Sequence, residues 1–233
     1  MLHNWINIIQ DYLLPPTCIL CGNKGFNSLD LCKHCYNRLS RNQNSCYRCA
    51  EAFTTAITTP QLCGKCLNSP PSFDETHAPF TYQGEMRYLI TTLKFGSQTK
   101  NARLLGQLLA KYLNENAQMP ELIIPVPLHK IRYRERGFNQ TFEIAKTIST
   151  VLNTPLNTTS CFRTLDTAHQ MALNAQQRQT NMKNAFSVVK PIKAQHVVLF
   201  DDVMTTGSTL NELASTIKKS GVNRVDIWVC ARA

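Results

Sequence analysis

One short pattern, repeated four times, limits what this chain can fold into: Cys18-x-x-Cys21, Cys32-x-x-Cys35, Cys46-x-x-Cys49 and Cys63-x-x-Cys66. A Cys-x-x-Cys turn points two sulfurs to the same side of a tight knuckle. A zinc ion takes four such ligands in a tetrahedron, so two knuckles close one structural site. Eight of the ten cysteines are thereby accounted for within the first 66 residues, and Cys161 and Cys230 read as ordinary apolar residues. Sequential pairing puts Cys18, Cys21, Cys32 and Cys35 on one ion, with ten residues between the knuckles. Cys46, Cys49, Cys63 and Cys66 then hold the second, with thirteen between. The interleaved alternative, first knuckle with third and second with fourth, makes a cross-brace that spacing alone leaves open. Sequential pairing is preferred because each half then forms a compact zinc ribbon. His34 lies inside the second knuckle, but the thiolates already complete the set. Disulfides would need an oxidising compartment, and redox enzymes rarely carry one motif four times. With every position filled by thiolate, the metal stabilises rather than catalyses, and its binding supplies the folding free energy of a segment with little core.

Composition excludes several other classes. Of the 233 residues 43% are hydrophobic, enough for a sizeable core, and 17% are charged, below the roughly 25% usual in soluble domains. A disordered acidic chain and a collagen-like repeat are both ruled out. No window approaches the ~18 uninterrupted apolar residues of a spanning helix. The opening MLHNWINIIQDYLLPP lacks a basic leader and a small-residue cleavage site, so a cytoplasmic protein is expected. Lys and Arg number 25 against 15 Asp and Glu, a formal net charge of +10, which suits partners that carry phosphate.

Residues 68–71, with a Pro-Pro pair, read as a linker. The chain thus divides into 1–70, an N-terminal helix (Trp5, Ile6, Ile9, Leu13) with the double zinc ribbon, and 71–233, an α/β domain. Strands are expected within 73–82 and at 122–127, 196–200 and 225–230, and helices at 86–93, 101–114, 138–152 and 208–220. Leu104, Leu105, Leu108, Leu109 and Leu113 form one apolar stripe. Phe142, Ala145, Ile148, Val151 and Leu152 form a second, and Leu210, Leu213, Ala214 and Ile217 a third. Apolar strands alternating with amphipathic helices specify a parallel sheet.

The run Val197-Val198-Leu199-Phe200-Asp201-Asp202-Val203-Met204-Thr205-Thr206-Gly207-Ser208-Thr209 carries the chemistry. An apolar strand delivers two carboxylates at its carboxyl end, the edge where open α/β sheets bind ligands. A loop of small hydroxyl residues around Gly207 follows and opens a helix, which can wrap a phosphate with N–H groups and hydroxyls. Paired carboxylates accept hydrogen bonds from vicinal hydroxyls, and a 5-phosphorylated ribose offers both features. The run resembles the 5-phosphoribosyl-1-pyrophosphate (PRPP) signature of type I phosphoribosyltransferases. That resemblance implies that Asp201 and Asp202 contact the ribose 2′- and 3′-hydroxyls. It also implies that Thr205, Thr206, Gly207, Ser208 and Thr209 hold the 5′-phosphate, and that Mg²⁺ accompanies the pyrophosphate.

A second strand leads into a segment bearing Lys130, Arg132, Arg134 and Arg136, read here as a loop. Its cationic donors suit a pyrophosphate, with Lys130, Arg132 and Arg136 as the expected contacts; a solvated basic helix face would fit the same residues. With the knuckles, Leu93-Lys94-Phe95 and Arg136-Gly137-Phe138-Asn139-Gln140, the whole resembles the ComF family of competence-associated proteins. That family joins a zinc ribbon to a phosphoribosyltransferase domain. The resemblance implies a type I phosphoribosyltransferase-like fold and a part in natural transformation, handling incoming single-stranded DNA. It also marks Gln170 and Arg178 as lid contacts. Lys24, Lys33, Arg38, Arg41, Arg48 and Lys65 stud the ribbon, with Tyr36, Tyr47 and Phe53 interleaved for base stacking. Two readings follow: a DNA-binding module that retains the PRPP pocket, and an active phosphoribosyltransferase whose base or amine acceptor no residue identifies. A third has the ribbon dock a helicase or other competence protein.

Overall fold

Strand β7 (Arg224–Arg232) is buried at every position between its two terminal arginines. A strand apolar on both faces belongs inside a parallel sheet, and β7 lies there in the computed structural model, which describes residues 15–96, 98–164 and 185–233. The side chains of Phe95, Lys130 and Arg136 and the expected N-terminal helix around Trp5 lie outside that description.

On one side β7 pairs with β6 (His196–Met204), which pairs in turn with β3 (Leu122–Pro125). On the other it pairs with two short strands, β1 (Thr76–His77) and β2 (Phe80–Thr81). All of these pairings are parallel, in the order β1-β7-β6-β3 with β2 also on β7. The single strand expected across 73–82 is broken in two at Pro79, which has no N–H to donate; its carbonyl instead accepts from Asn42 N at 2.9 Å. A separate antiparallel arm is formed by β4 (Cys161–Arg163) and β5 (Phe186–Val188).

The ribbon contributes two one-turn helices, α1 (Lys33–Asn37) and α2 (Gly64–Asn68), each opened by a knuckle. In the α/β part α3 (Gly84–Gly96), α4 (Lys100–Asn116), α5 (Lys130–Arg136), α6 (Gln140–Leu152) and α7 (Ser208–Lys219) follow. The leucine stripe of α4 is buried throughout, as is the inward face of α7. Gly106 lets α4 approach α6: a Cβ there would lie 2.5 Å from Thr147 Cβ. The expected stripe of α6 needs correcting. Val151 is 55% exposed, and the buried positions are Gln140, Thr141, Ile144, Ala145 and Ile148. Two of these are polar because they face carboxylates, a choice that apolar periodicity does not register.

The two halves of the ribbon pack on opposite faces of the sheet. Cys18, Leu31, Cys32, Cys35 and Leu39 share a core with Leu93, Leu104, Phe200 and Trp228. Ala50, with Cys49 beside it, shares the other with Leu213, Ile217, Val225 and Ile227. Between the halves the chain runs along the sheet edge. Thr81 N donates to Ser40 O at 3.0 Å, and the Arg41 guanidinium sits 4.7 and 4.6 Å from the ring centres of Tyr36 and Phe80. Among the described residues no helix is long and apolar enough to cross a membrane.

Since the first four-cysteine set shares a core with the sheet and the second packs beside the other through Ala50 and Cys49, breaking either should loosen the whole chain. Cys66→Ser is expected to halve the zinc content and cost about 3–5 kcal/mol, the range of the largest single-residue losses. Hydrogen exchange at β6 and β7 amides checks it: protection equal to the native chain's would mean that ribbon and sheet fold independently.

Candidate functional site

The knuckle thiols gather in two sets, Cys18, Cys21, Cys32, Cys35 and Cys46, Cys49, Cys63, Cys66, with the four Sγ of each within 4.8 Å of one another. Pairing is therefore sequential, and exposed His34 takes no part. Cys21 and Cys32 Sγ are 3.6 Å apart, as are Cys49 and Cys63. Thiolates at zinc distance in a tetrahedron stand about 3.8 Å from each other, so both sets fit structural zinc. Backbone N–H groups support the sulfurs, Cys35 N on Cys32 Sγ at 3.4 Å and Cys63 N on Cys46 Sγ at 3.2 Å. Burial pushes the Cys18 thiol up, but N–H donors overcome it and bring it down to about 7. Cys46 is also brought to about 7. Burial and the neighbouring sulfurs hold Cys35 and Cys66 far above the ordinary thiol range. A dication lets all four ionise together. Cys161 and Cys230 are buried apart from these sets, and burial raises both, Cys161 to about 11.

At the other pole of the chemistry, β6 runs on through Asp201 and Asp202 to Met204, so both carboxylates stand on the strand itself. Their surroundings differ. Asp202 is 3% exposed; its Oδ1 is 2.8 Å from Lys94 Nζ, and its Oδ2 accepts from Gln140 Nε2 at 3.2 Å. Half-buried Asp201 accepts from Thr141 Oγ1 at 3.4 Å and from the Asp202 N–H at 2.9 Å. Desolvation and the charge of Asp202 push its carboxyl up to about 7, against the pull of Lys94 and these donors. Burial works against the Lys94 charge, yet the Asp202 and Asp201 carboxylates hold it above the usual lysine range. Sequence reasoning missed Lys94, Gln140 and Thr141 as site residues. The available signals were a lone cation at the end of an apolar helix face and two polar residues opening α6.

Thr205 and Thr206 follow on the exposed surface, and Gly207 turns into the left-handed region at φ 77°. The left-handed backbone is what calls for glycine there; a Cβ would meet only the flexible end of the Met204 side chain. Gly207 caps α7 without a side chain, and Thr206 Oγ1 and Ser208 Oγ meet at 2.9 Å beside that helix start. The loop opens on a cavity of about 660 Å³ that the second zinc site also lines: Cys49, Cys63 and Cys66 share its wall with Thr206, Ser208 and Arg232. Arg232 ties the two together. Its Nε donates to Cys49 O and its Nη1 to Met204 O, both at 3.2 Å, and Nη2 pairs with Glu51.

The basic segment expected as a loop is a helix, α5, begun by His129, whose Nδ1 accepts from Ile131 N at 3.4 Å, and stopped by left-handed Gly137. The residues 130–136 are good helix formers between a cap and a stop, which outweighs the loop reading. Arg132 Nη1 lies 3.2 Å from Glu135 Oε2. The side chains of Lys130 and Arg136 lie outside the described residues, as do Gln170 and Arg178 altogether. Of the ribbon residues expected to meet DNA, Tyr36 is covered by Arg41, Arg38 pairs with Glu85 at 2.7 Å, and Tyr47 donates to Glu75 at 2.9 Å.

Comparison with known proteins bears on this arrangement. Residues 9–67 match the double zinc ribbon domain family and residues 141–233 the phosphoribosyl transferase domain family. Competence protein F of Haemophilus influenzae is 34% identical over 225 residues, covering 93% of this chain and 96% of that protein. The DNA utilization protein YhgH of Escherichia coli K12 is 31% identical over 225 residues, 94% of this chain and 98% of that one. Among solved structures, a glutamine PRPP amidotransferase from B. subtilis, complexed with ADP and GMP, overlays 55% of this chain and 25% of its own at a TM-score of 0.38 and 16% identity. With two four-cysteine sites, a parallel sheet bearing the Asp-Asp strand, and near full-length similarity to competence protein F, this chain belongs to the ComF family.

Proposed function

We propose that the chain binds PRPP with Mg²⁺ at the end of β6 and acts on incoming single-stranded DNA during natural transformation, in the cytoplasm. The observation that carries the first half is the continuity of the site. Asp201 and Asp202, braced by Lys94, Gln140 and Thr141, run without a break into a glycine-hinged hydroxyl loop at the start of α7. In this reading Asp201, the more open carboxylate, accepts the ribose hydroxyls, while Asp202 is the internal anchor that holds Lys94 in place. Thr205, Thr206, Gly207, Ser208 and Thr209 take the 5′-phosphate, and Arg132 with Lys130 and Arg136 meets the pyrophosphate. Residues 71–233 supply this pocket and residues 1–70 the metal-built part. The DNA half draws on two relatives whose names are competence protein F and DNA utilization protein, and on a net charge of +10 suited to a phosphate backbone.

Calorimetric titration of PRPP with Mg²⁺ checks the pocket. Asp201→Asn loses hydrogen bonds to a charged acceptor and should weaken binding about tenfold to a hundredfold; native protein that evolves no heat would remove the assignment. The pH dependence has a defined sign. Free Asp201 keeps its proton until about pH 7, and binding favours the ionised form, so ligation releases a proton and affinity rises as pH climbs through 7. Asp201→Asn has no such proton, so the part of the slope that this variant lacks isolates Asp201 from the titration of PRPP itself. For DNA, the measurement is binding of a single-stranded oligonucleotide across a salt series. The logarithm of affinity should fall with log salt by about 0.7 per phosphate contacted, and a flat response would discard the DNA half alone.

A further inference from the structure

Helix α5 carries charge on two separate sides. Arg132 faces Glu135, and residues two apart on a helix lie about 160° from each other around the axis. Arg134 and its neighbour Tyr133 therefore point elsewhere, into a cleft of about 650 Å³ bounded by α5, the end of β3, the first turn of α6 and β4. Tyr133, Arg134, Asn139, Phe142 and Phe162 line it. Tyr133 is 52% exposed and Phe162 45%, so two large rings stand half open at a concave site that also offers one cation, Arg134, beside the amides of Asn139 and Asn157. An apolar pocket with few polar groups is the common form of a ligand site.

The geometry points to this cleft as the seat of an unpaired base of single-stranded nucleic acid, stacked on Tyr133 or Phe162, with a flanking phosphate on Arg134. The inference rests on the single-stranded DNA half of the proposed function and names the place where the strand is read. Stacking on aromatic rings accepts every base and requires that the base be out of a duplex. Charge complementarity favours a nucleotide over a purely apolar occupant: Lys130, Arg132, Arg134 and Arg136 share the helix with a single acid, Glu135. The ribbon offers less, since Tyr36 already lies under Arg41. Position adds a second argument. Asn139 lines the cleft, while the next two residues, Gln140 and Thr141, bond to Asp202 and Asp201. One helical turn thus separates a base in the cleft from the carboxylate site.

The test uses the full chain, a fluorescein-labelled oligothymidylate and an abasic oligomer of the same length. Tyr133→Leu and Phe162→Leu keep apolar bulk but remove the ring. Each should weaken oligothymidylate binding between about fivefold and 150-fold, the span of one lost stacking contact. The salt slope should stay unchanged and Tyr133→Phe should bind like native. Arg134→Gln should instead lower the salt slope by about 0.7. The abasic oligomer should bind native protein more weakly and be indifferent to the Leu variants, whose zinc content and PRPP titration should match native and so report intact folding. Leu variants that hold oligothymidylate as native protein does would overturn the cleft, as would an abasic oligomer or a duplex bound equally well. Free thymidine competing as tightly as the strand would assign the cleft to a small molecule. Native protein that fails to bind oligothymidylate at all removes the DNA reading itself, a different result from native binding that the Leu variants leave untouched.

Discussion

The zinc ribbon is held to the sheet along residues 74–82, the segment that itself closes the β7 edge: Asp74 N donates to Val225 O at one end and Tyr82 N to Arg232 O at the other, both at 2.8 Å. The two-residue strands β1 and β2 pair with β7 along that stretch, and it is their own outer side that would otherwise be an unpaired edge inviting association. The ribbon covers that outer side, where Ser40 O accepts from Thr81 N and Asn42 N donates to Pro79 O, and it straddles the edge, with one cluster's cysteines in the core above the sheet and a cysteine of the other beside the core below. Both terminal arginines of β7 then act as fasteners. Arg224 reaches Glu75 at 2.7 Å, the carboxylate that also receives the Tyr47 hydroxyl, and Arg232 reaches Cys49 O and Glu51 at the opposite end. Metal, edge and sheet therefore form one folding unit, although the sequence divides them at a Pro-Pro linker.

Arg232 also joins the second zinc site to the hydroxyl loop. It bonds to the knuckle carbonyl and to Met204 O, the residue from which the hydroxyl loop departs. The cavity between loop and knuckle is consequently fixed on both walls by one guanidinium, itself largely buried. The ribbon thus supplies a roof over the carboxyl end of the sheet, beside the hydroxyl loop.

Most of this is legible in the sequence because its signals are local. Cys-x-x-Cys spacing, the leucine stripe of α4 and the run from Val197 to Thr209 each specify geometry within a few residues. What escapes depends on distant neighbours. Lys94 reads as the end of an amphipathic helix until Asp202 is seen beside it, more than one hundred residues along the chain. Gln140 and Thr141 look like a solvated helix start, and only the carboxylates they face explain their burial. Helix α5 reads as a loop because four cations in seven residues suggest a phosphate cradle, while its His129 cap and Gly137 stop carry the opposite message. Arg232 gives no signal at all, since its partners lie in the ribbon.

The electrostatics of the pocket follow from the same placement. By formal charge alone, two adjacent aspartates oppose a ligand with several phosphates. The structure removes most of that opposition. Lys94 neutralises Asp202 at 2.8 Å, and Asp201, pushed up to about 7, carries only part of a charge near neutral pH. The start of α7 and the basic helix α5 follow β6 and β3, whose carboxyl ends lie side by side in the parallel sheet, so positive potential gathers at the edge where such sheets bind ligands. A polyanion approaching that edge meets the basic helix α5 and the start of α7 first, and a carboxylate pair of reduced charge beneath them. On the proposed reading, Asp201 becomes fully acidic as vicinal hydroxyls arrive to share its charge, and the carboxylate then favours a ribose-bearing phosphate rather than opposing it.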